Sequence, residues 1–222
     1  MGWNVLSERG QKPDLTSKSP AASRCTFFLT ASTDDKPSRI ALKNIDGNSA
    51  RLLEEWRRDP KIPGEIEHIL QNKFRGFQVV SADGNGKIHL EGIAFYAAKS
   101  YGIYLRALEI APWNRIGRKI QGIASVLVTR IALESERKGY DGIVFTIPTN
   151  PAAENFNRQC GFISFRQYAN KTGLSREAYP LGYTHSMVLD REGAGNLIAR
   201  QLARPGNLTV NIKIHPSFFN SP

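Results

Sequence analysis

Residues 101–124 read YGIYLRALEIAPWNRIGRKIQGIA, and the change of character along this stretch decides the fold. Ile103–Ile110 is predicted as a strand, and Pro112 stops it, because proline cannot donate to a ladder. Residues 113–119 are basic and include Gly117. From there Ile120, Ile123, Ala124, Leu127, Ile131 and Ala132 recur at helical spacing, with Arg130, Glu134 and Arg137 off the stripe. Lys138–Gly139 ends the helix with a cation and a glycine stop. A helix N-terminus leaves about four backbone N–H groups unpaired and carries partial positive charge, which together make an anion site. Arg115, Arg118 and Lys119 add cations beside it, and Gly122 and Ala124 are small enough for a pyrophosphate to approach the backbone. Taken alone, the same pattern also describes a solvated basic loop.

Working outward, Phe77–Ala82 and Ile88–Ala98 read as strands joined by the turn at 83–87, where Asp-Gly and Asn-Gly signal a hairpin. With Ile103–Ile110 they form an antiparallel meander. Upstream lie a first strand through Ile40 and Leu42, a helix at Ala50–Arg58 and a second helix from Pro63 to Lys73. Downstream, residues 142–147 (GIVFTI) read as a buried strand, Pro151–Cys160 as a short helix and Phe162–Arg166 as another strand. The order is β-α-α-β-β-β-α-β-α-β. Tyr183–Leu189 suits a closing strand and Gly195–Leu202 a helix. Leu208, Val210, Ile212 and Ile214 alternate as a half-buried strand, paired with a sheet edge or a second subunit. Residues 1–38, rich in polar and turn residues apart from Cys25–Ala31, read as a flexible arm. The expected division is therefore an arm at 1–38, a domain at 39–190 and an extension at 191–222.

Thirty Lys and Arg against twenty Asp and Glu give a net charge of +10. That surplus attracts polyanions, so nucleic-acid contact or a phosphate-rich cofactor is expected. Two cysteines, Cys25 and Cys160, give neither a disulfide framework nor metal-ligand spacing, and Cys160 reads as a packing residue. No metal is expected. The start, MGWNVLSERG, lacks the form of a secretory signal, and no apolar run approaches a membrane span, so a cytoplasmic chain without membrane contact is expected.

Three landmarks in order resemble the GNAT superfamily of acyl-CoA-dependent N-acetyltransferases. Leu108-Glu109-Ile110-Ala111-Pro112 is similar to the family's fourth strand and its terminal proline. Lys119 to Ala124 is similar to the cofactor loop Gln/Arg-x-x-Gly-x-Gly/Ala, with Lys at the first place. Asn150-x-x-Ala153-x-x-Phe156-Asn157-x-x-x-Gly161-Phe162 is similar to Asn-x-x-Ala-x-x-Phe-Tyr-x-x-x-Gly-Phe. The resemblance is close over Tyr101–Phe162 and extends in element order over Arg39–Phe165.

The resemblance implies an α/β fold with a mixed, mostly antiparallel twisted sheet of about seven strands flanked by helices. That sheet would splay between its fourth and fifth strands to admit acetyl-CoA. The backbone of Leu108 and Ile110 would bind the pantetheine arm, with Asn150 or Asn155 facing it. The pyrophosphate would sit on Gln121, Gly122, Ile123 and Ala124, helped by Arg115, Arg118 and Lys119. A primary amine would attack the thioester directly, with Glu109, sharing a strand face with Leu105 and Ala107, as base, and Glu91 and His89 in reserve. Asn157 stands where the family has a Tyr that protonates the departing sulfur, and an amide is no proton donor at neutral pH. Tyr168, Tyr179 or Tyr183 would then supply an acid, or the thiolate would leave unassisted. The acceptor is a small amine, a protein amine or an aminoacyl-tRNA, and a homodimer is an option. The competing expectation is a non-catalytic acyl-CoA-binding or nucleic-acid-associated module.

Overall fold

Asp83 starts the hairpin from which the main sheet grows. Its Oδ1 accepts hydrogen bonds from the N–H groups of Asn85 and Lys87, both at 2.9 Å, and Gly86 takes the left-handed conformation at φ 79° that closes the turn. The computed structural model describes residues 23–31, 39–46, 49–58, 75–115, 120–174, 185–204, 206 and 208–214. In chain order its elements begin with β1 (Ser23–Ala31), β2 (Arg39–Asn44) and α1 (Ser49–Leu53), which runs on as a 3₁₀ turn over Glu54–Arg58. Next come β3 (Arg75–Ala82), β4 (Ile88–Lys99), β5 (Gly102–Ile110), α2 (Pro112–Arg115), β6 (Ile120–Gln121) and α3 (Ile123–Arg137). Then follow β7 (Val144–Thr146), α4 (Pro151–Cys160), β8 (Ile163–Ser164) and α5 (Phe165–Thr172), and last β9 (Met187–Leu189), α6 (Arg191–Ala203) and β10 (Leu208–Ile214). The expected helix at 63–73 lies outside the described residues.

Seven strands form one sheet in the order β2-β3-β4-β5-β7-β9-β8. Every neighbouring pair is antiparallel except β5 with β7. The meander is the expected one, but two bulges interrupt its pleat. Val79 pairs with Gly92 and Val80 with Leu90, leaving Glu91 as the extra residue of β4. Phe95 pairs with Ala107 and Tyr96 with Leu105, leaving Arg106 as the extra residue of β5. A bulge exchanges the two faces of a strand. Leu105 therefore packs in the core beneath α3, whereas Ala107 packs on the opposite face with Trp56, Ile93 and Phe95. This corrects the expected grouping of Glu109 with both Leu105 and Ala107: the alternation leaves it with Ala107 alone.

Eleven of the fifteen residues of α3 are buried, so the helix is covered on more than one side. The sheet supplies one cover. The other is α6, whose Ala194, Leu197 and Ile198 join the same core as Leu127 and Ile131, together with Leu29 of β1. The segment expected as a loose arm thus contributes a strand, and β1 pairs with β10 over seven register positions from Ser23↔Ile214 to Leu29↔Leu208. Strand β10 therefore finds its partner in β1, within a three-stranded sheet β10-β1-β6, and not at an edge of the main sheet.

A strand was expected over Phe162–Arg166, but only Ile163–Ser164 is extended and α5 begins at Phe165. The reason is a capping box: the Ser164 side chain accepts from the Gln167 N–H while the Gln167 side chain accepts from the Ser164 N–H. Helix α6 starts four residues before Gly195 because Asp190 caps it, accepting from the Gly193 N–H at 2.8 Å. Among the described residues no helix is long and apolar enough to cross a membrane.

The docking of β1 is testable at Leu29, whose side chain is fully buried. Leu29→Ala is expected to destabilise the fold by about 2–5 kcal/mol in urea denaturation, whereas a residue on a loose arm would change stability by less than about 0.5 kcal/mol.

Candidate functional site

Strands β5 and β7 hydrogen-bond in parallel over three residue pairs only, from Ile103↔Val144 to Leu105↔Thr146. Beyond Leu105 the bulge at Arg106 intervenes, and β5 runs on to Ile110 while β7 has ended. On its other side β5 stays paired to β4 through Ala94↔Leu108 and Gly92↔Ile110. Among the described residues, Leu108 and Ile110 pair with β4 on one side and with no strand on the other. Seven strands, antiparallel but for one short parallel pair that parts between the fourth and fifth, are the arrangement the resemblance implied.

No family model and no curated protein sequence matches this chain. Among solved structures, the chain is similar to AtaTR bound with AcCoA at 14% identity and a TM-score of 0.46, covering 74% of this chain and 99% of that one. It is similar to the ribosomal-protein-S18-alanine N-acetyltransferase from Escherichia coli at 14% identity and a TM-score of 0.45, covering 67% and 90%. Similarity to Tetrahymena GCN5 is 15% in identity with a TM-score of 0.46, covering 66% and 93%.

The loop between β5 and α3 is organised by a buried carboxylate. Glu91 is 4% exposed and is the bulged residue of β4. One of its oxygens accepts from the Ser81 hydroxyl. The other accepts from Trp113 Nε1 at 2.8 Å and Asn114 Nδ2 at 2.6 Å, and the Glu91 carbonyl accepts from the Ala111 N–H at 3.0 Å. Asn114 passes the constraint on, since its Oδ1 accepts from the Ile120 N–H at 3.0 Å. Glu91 is thus enclosed by donors, which suits anchoring better than taking a proton from substrate. His89, the other reserve base, lies 3.3 Å from Glu55 and 3.4 Å from Asp83 at the hairpin end. Sequence reasoning missed Trp113 and Asn114, because nothing in local pattern links them to a residue on an earlier strand.

Glu109 and Arg115 are brought together, with Arg115 Nη2 2.5 Å from Glu109 Oε2 and Arg115 Nε donating to the Ile110 carbonyl at 3.0 Å. Both side chains remain part-exposed, at 26% for Glu109 and 34% for Arg115. Arg115 was expected to face a phosphate, and in this structure its guanidinium spans the end of β5 instead. Of the cofactor-loop residues, Gln121 is exposed, Gly122 is half-buried, and Ile123 and Ala124 are buried. Ile120 and Gln121 pair with Ala31 and Thr30 of β1. Gly122 stands at the N-cap of α3 at φ 92° with no side-chain hydrogen bond to the helix. A Cβ on Gly122 would lie 3.1 Å from Leu29 Cδ2 and 2.8 Å from Arg204 Nη1, so the C-terminal extension delivers a cation here that no local pattern announces. Arg118 and Lys119 lie outside the described residues.

Asn150 caps α4, with its Oδ1 accepting from the Ala153 N–H at 2.9 Å, and borders a cavity of about 390 Å³ with Thr149, Glu154 and Arg158. Asn155 is exposed on α4, whereas Asn157 is buried. Tyr168 packs edge-on to Phe145 with ring centroids 6.2 Å apart, and burial, followed by the Asp190 charge, raises its pKa. It is a poor replacement acid in that setting. Tyr179 and Tyr183 lie outside the described residues. Cys160 is 2% exposed, and burial pushes its thiol up to about 12.

Two outcomes follow from these environments. A raised thiol pKa favours the protonated, unreactive form, so native Cys160 is expected to react with a disulfide reagent at pH 8 far more slowly than after unfolding; equal rates would contradict its burial. Glu91→Gln turns an amide N–H toward donors that need an acceptor, and is expected to destabilise the fold by about 1–3 kcal/mol. The same variant should speed hydrogen exchange at the Ile120 amide, read by NMR.

Proposed function

We propose that this chain is an N-acetyltransferase that binds acetyl-CoA along the open edge of β5 and passes the acetyl group to a primary amine. The observation that carries the reading is the parting of β5 from β7 after Leu105 and Thr146, beyond which no described strand pairs with Leu108 and Ile110 on that side. An extended amide-bearing arm laid there would find strand-like partners in Leu108 and Ile110, as a peptide does at a sheet edge. At the end of that edge stands the N-terminus of α3. Its cap, Gly122, offers no side-chain acceptor and its first turn has no acidic residue, so its N–H groups suit a pyrophosphate. Arg118, Lys119 and Arg204 would add positive charge there. Asn150 and Asn155 are the candidates to face the arm from α4. A cytoplasmic location goes with this reading.

Within it, Glu109 takes a proton from the substrate ammonium, directly or through a water, and Arg115 must release or share the carboxylate for that step. The freed amine nitrogen then bonds to the carbonyl carbon, a backbone N–H near Ile110 stabilises the developing oxyanion, and the carbon–sulfur bond breaks as the nitrogen gives its second proton to solvent. Asn157, in the place of the usual Tyr, can hydrogen-bond to the departing sulfur but not protonate it. A thiolate of pKa about 8.5 is stable enough to leave without an acid. The acceptor belongs to one of three classes: small amine, protein amine or aminoacyl-tRNA.

The ion pair of Glu109 with Arg115 favours a second reading, a protein that binds acyl-CoA without turning it over. Calorimetry with acetyl-CoA and thiol release over a panel of amines separate the two. Under the enzyme reading, acetyl-CoA binds, and Glu109→Gln cuts turnover by about 100-fold or more with little change in acetyl-CoA affinity. Binding without thiol release for any amine favours the second reading, and no heat at several hundred micromolar acetyl-CoA, on the order of the affinities such sites need, overturns both.

A further inference from the structure

At the other end of α3 lies a concavity of about 460 Å³, lined by Arg75 and Phe77 of β3, Tyr96 of β4, and Arg130, Glu134 and Arg137 of α3. It lies beside β3 and β4 along the C-terminal half of α3, one strand away from β5, whose Leu105 pairs with Tyr96. Neither the proposed acetyl transfer nor the packing of the sheet uses it.

Its charges do not cancel. Glu134 is the carboxylate of the group, and both its oxygens are taken. Arg137 reaches Oε1 at 2.6 Å and Oε2 at 2.8 Å, the Tyr96 hydroxyl donates to Oε1 at 3.2 Å, and Lys138 Nζ stands 3.7 Å from Oε1. Burial raises the Glu134 carboxyl, but Arg137, Arg130 and Lys138 together outweigh it and hold its pKa below the ordinary value. Arg130 comes no closer to Glu134 than 3.9 Å, with its side chain only 20% exposed. Its guanidinium lies 4.4 Å from the centroid of the Phe77 ring, a favourable cation–π contact that satisfies none of its N–H donors. Among the described residues Arg130 makes no hydrogen bond through its side chain, and burial lowers its pKa. Arg75 opens β3 at the rim, exposed, and its guanidinium has no ion pair among the described residues. Among the described residues, Arg130, Arg137 and Lys138 share the single carboxylate of Glu134 and Arg75 pairs with no carboxylate, so the concavity carries more positive than negative charge, and the Arg130 part of it is largely removed from water at a cost in free energy.

We propose that this concavity binds the phosphate of a small phosphate monoester, held between Arg75 and Arg130, with the organic part filling the rest of the cavity. The stacked Phe77 and Tyr96 rings, 5.5 Å apart at 19°, are buried and form its floor. The surplus of guanidinium charge matches a group of charge about −1.5 to −2 at neutral pH better than a single carboxylate. The volume exceeds that of a bare phosphate, which leaves room for an attached ring.

Calorimetry with phenyl phosphate and, for comparison, benzoate tests the site on the full chain. Phenyl phosphate is expected to bind, to bind at least about tenfold more tightly than benzoate, and to lose about tenfold in affinity in Arg75→Ala, the loss of one charge-assisted hydrogen bond. Because Arg75 is exposed and has no ion pair among the described residues, that variant should keep the melting temperature of the parent, and Arg75→Lys should recover part of the affinity. Saturating acetyl-CoA should leave phenyl phosphate binding unchanged. Absence of heat at millimolar phenyl phosphate, equal affinity for benzoate, an unaltered affinity in Arg75→Ala, or displacement by acetyl-CoA would each overturn the proposal. So would binding of a 5′-phosphorylated oligonucleotide with none of phenyl phosphate, which would make the surface a nucleic-acid contact.

Discussion

The Glu91 carboxylate holds together parts of the chain that have no other reason to meet. It sits on a bulge of β4, buried, and collects Ser81 from β3 with Trp113 and Asn114 from the turn after β5. Through Asn114 it reaches the Ile120 amide, and so the approach to α3. A buried carboxylate is tolerated only where hydrogen bonds replace the water it has lost, so these partners depend on one another. The course of the chain from the end of β5 to the start of α3 is thereby set from beneath by a strand that precedes both. Trp56, which donates to the Leu90 carbonyl at 2.9 Å and meets Trp113 edge-on with centroids 6.4 Å apart, closes the apolar side of the same arrangement.

A second consequence concerns α3. With the main sheet on one side and α6 and β1 on the other, its polar groups are confined largely to its last turns. Arg130, Glu134, Arg137 and Lys138 fall there, and they make the one strongly charged end of a helix that is otherwise enclosed in apolar contacts. The N-terminal end, by contrast, starts at a glycine cap with no side-chain hydrogen bond to the helix and no acidic residue in its first turn. The two ends of this helix therefore differ in kind, one presenting main-chain N–H groups and the other guanidiniums.

Much of this was legible in the sequence. Pro112 marks the end of β5, the Asp-Gly and Asn-Gly turn marks the hairpin, and the Asn150 to Phe162 landmark falls on α4 and its left-handed Gly161 cap. These are local signals, written in the residues that form the feature. What was not legible depends on residues far apart or on a shift of one place. Arg106 shifts the parity of β5, so simple alternation put Leu105 on the wrong face, and nothing in its own side chain announces a bulge. The pairing of Glu109 with Arg115 needed the turn at α2 to bring it about. Around Phe162 and Phe165 the apolar residues fit a strand, and the capping box of Ser164 with Gln167 overrides that pattern. Above all, Cys25–Ala31 looked like an isolated apolar patch because the strand that pairs with it lies more than 180 residues further on.

That last pairing also sets an order of events for a chain made from its N-terminus. Strand β1 is synthesised before every other described element, yet its long ladder has to wait for β10, which is made last. The closure entropy of so large a loop cannot be met until nearly all the other contacts exist. During synthesis Leu29 and the outer face of α3 must therefore stand open, with the meander already able to form from neighbouring segments. The three-stranded sheet behaves as a clasp that shuts after the rest of the molecule is in place, and the helix N-terminus at Gly122 acquires its neighbours Leu29 and Arg204 only at that final stage.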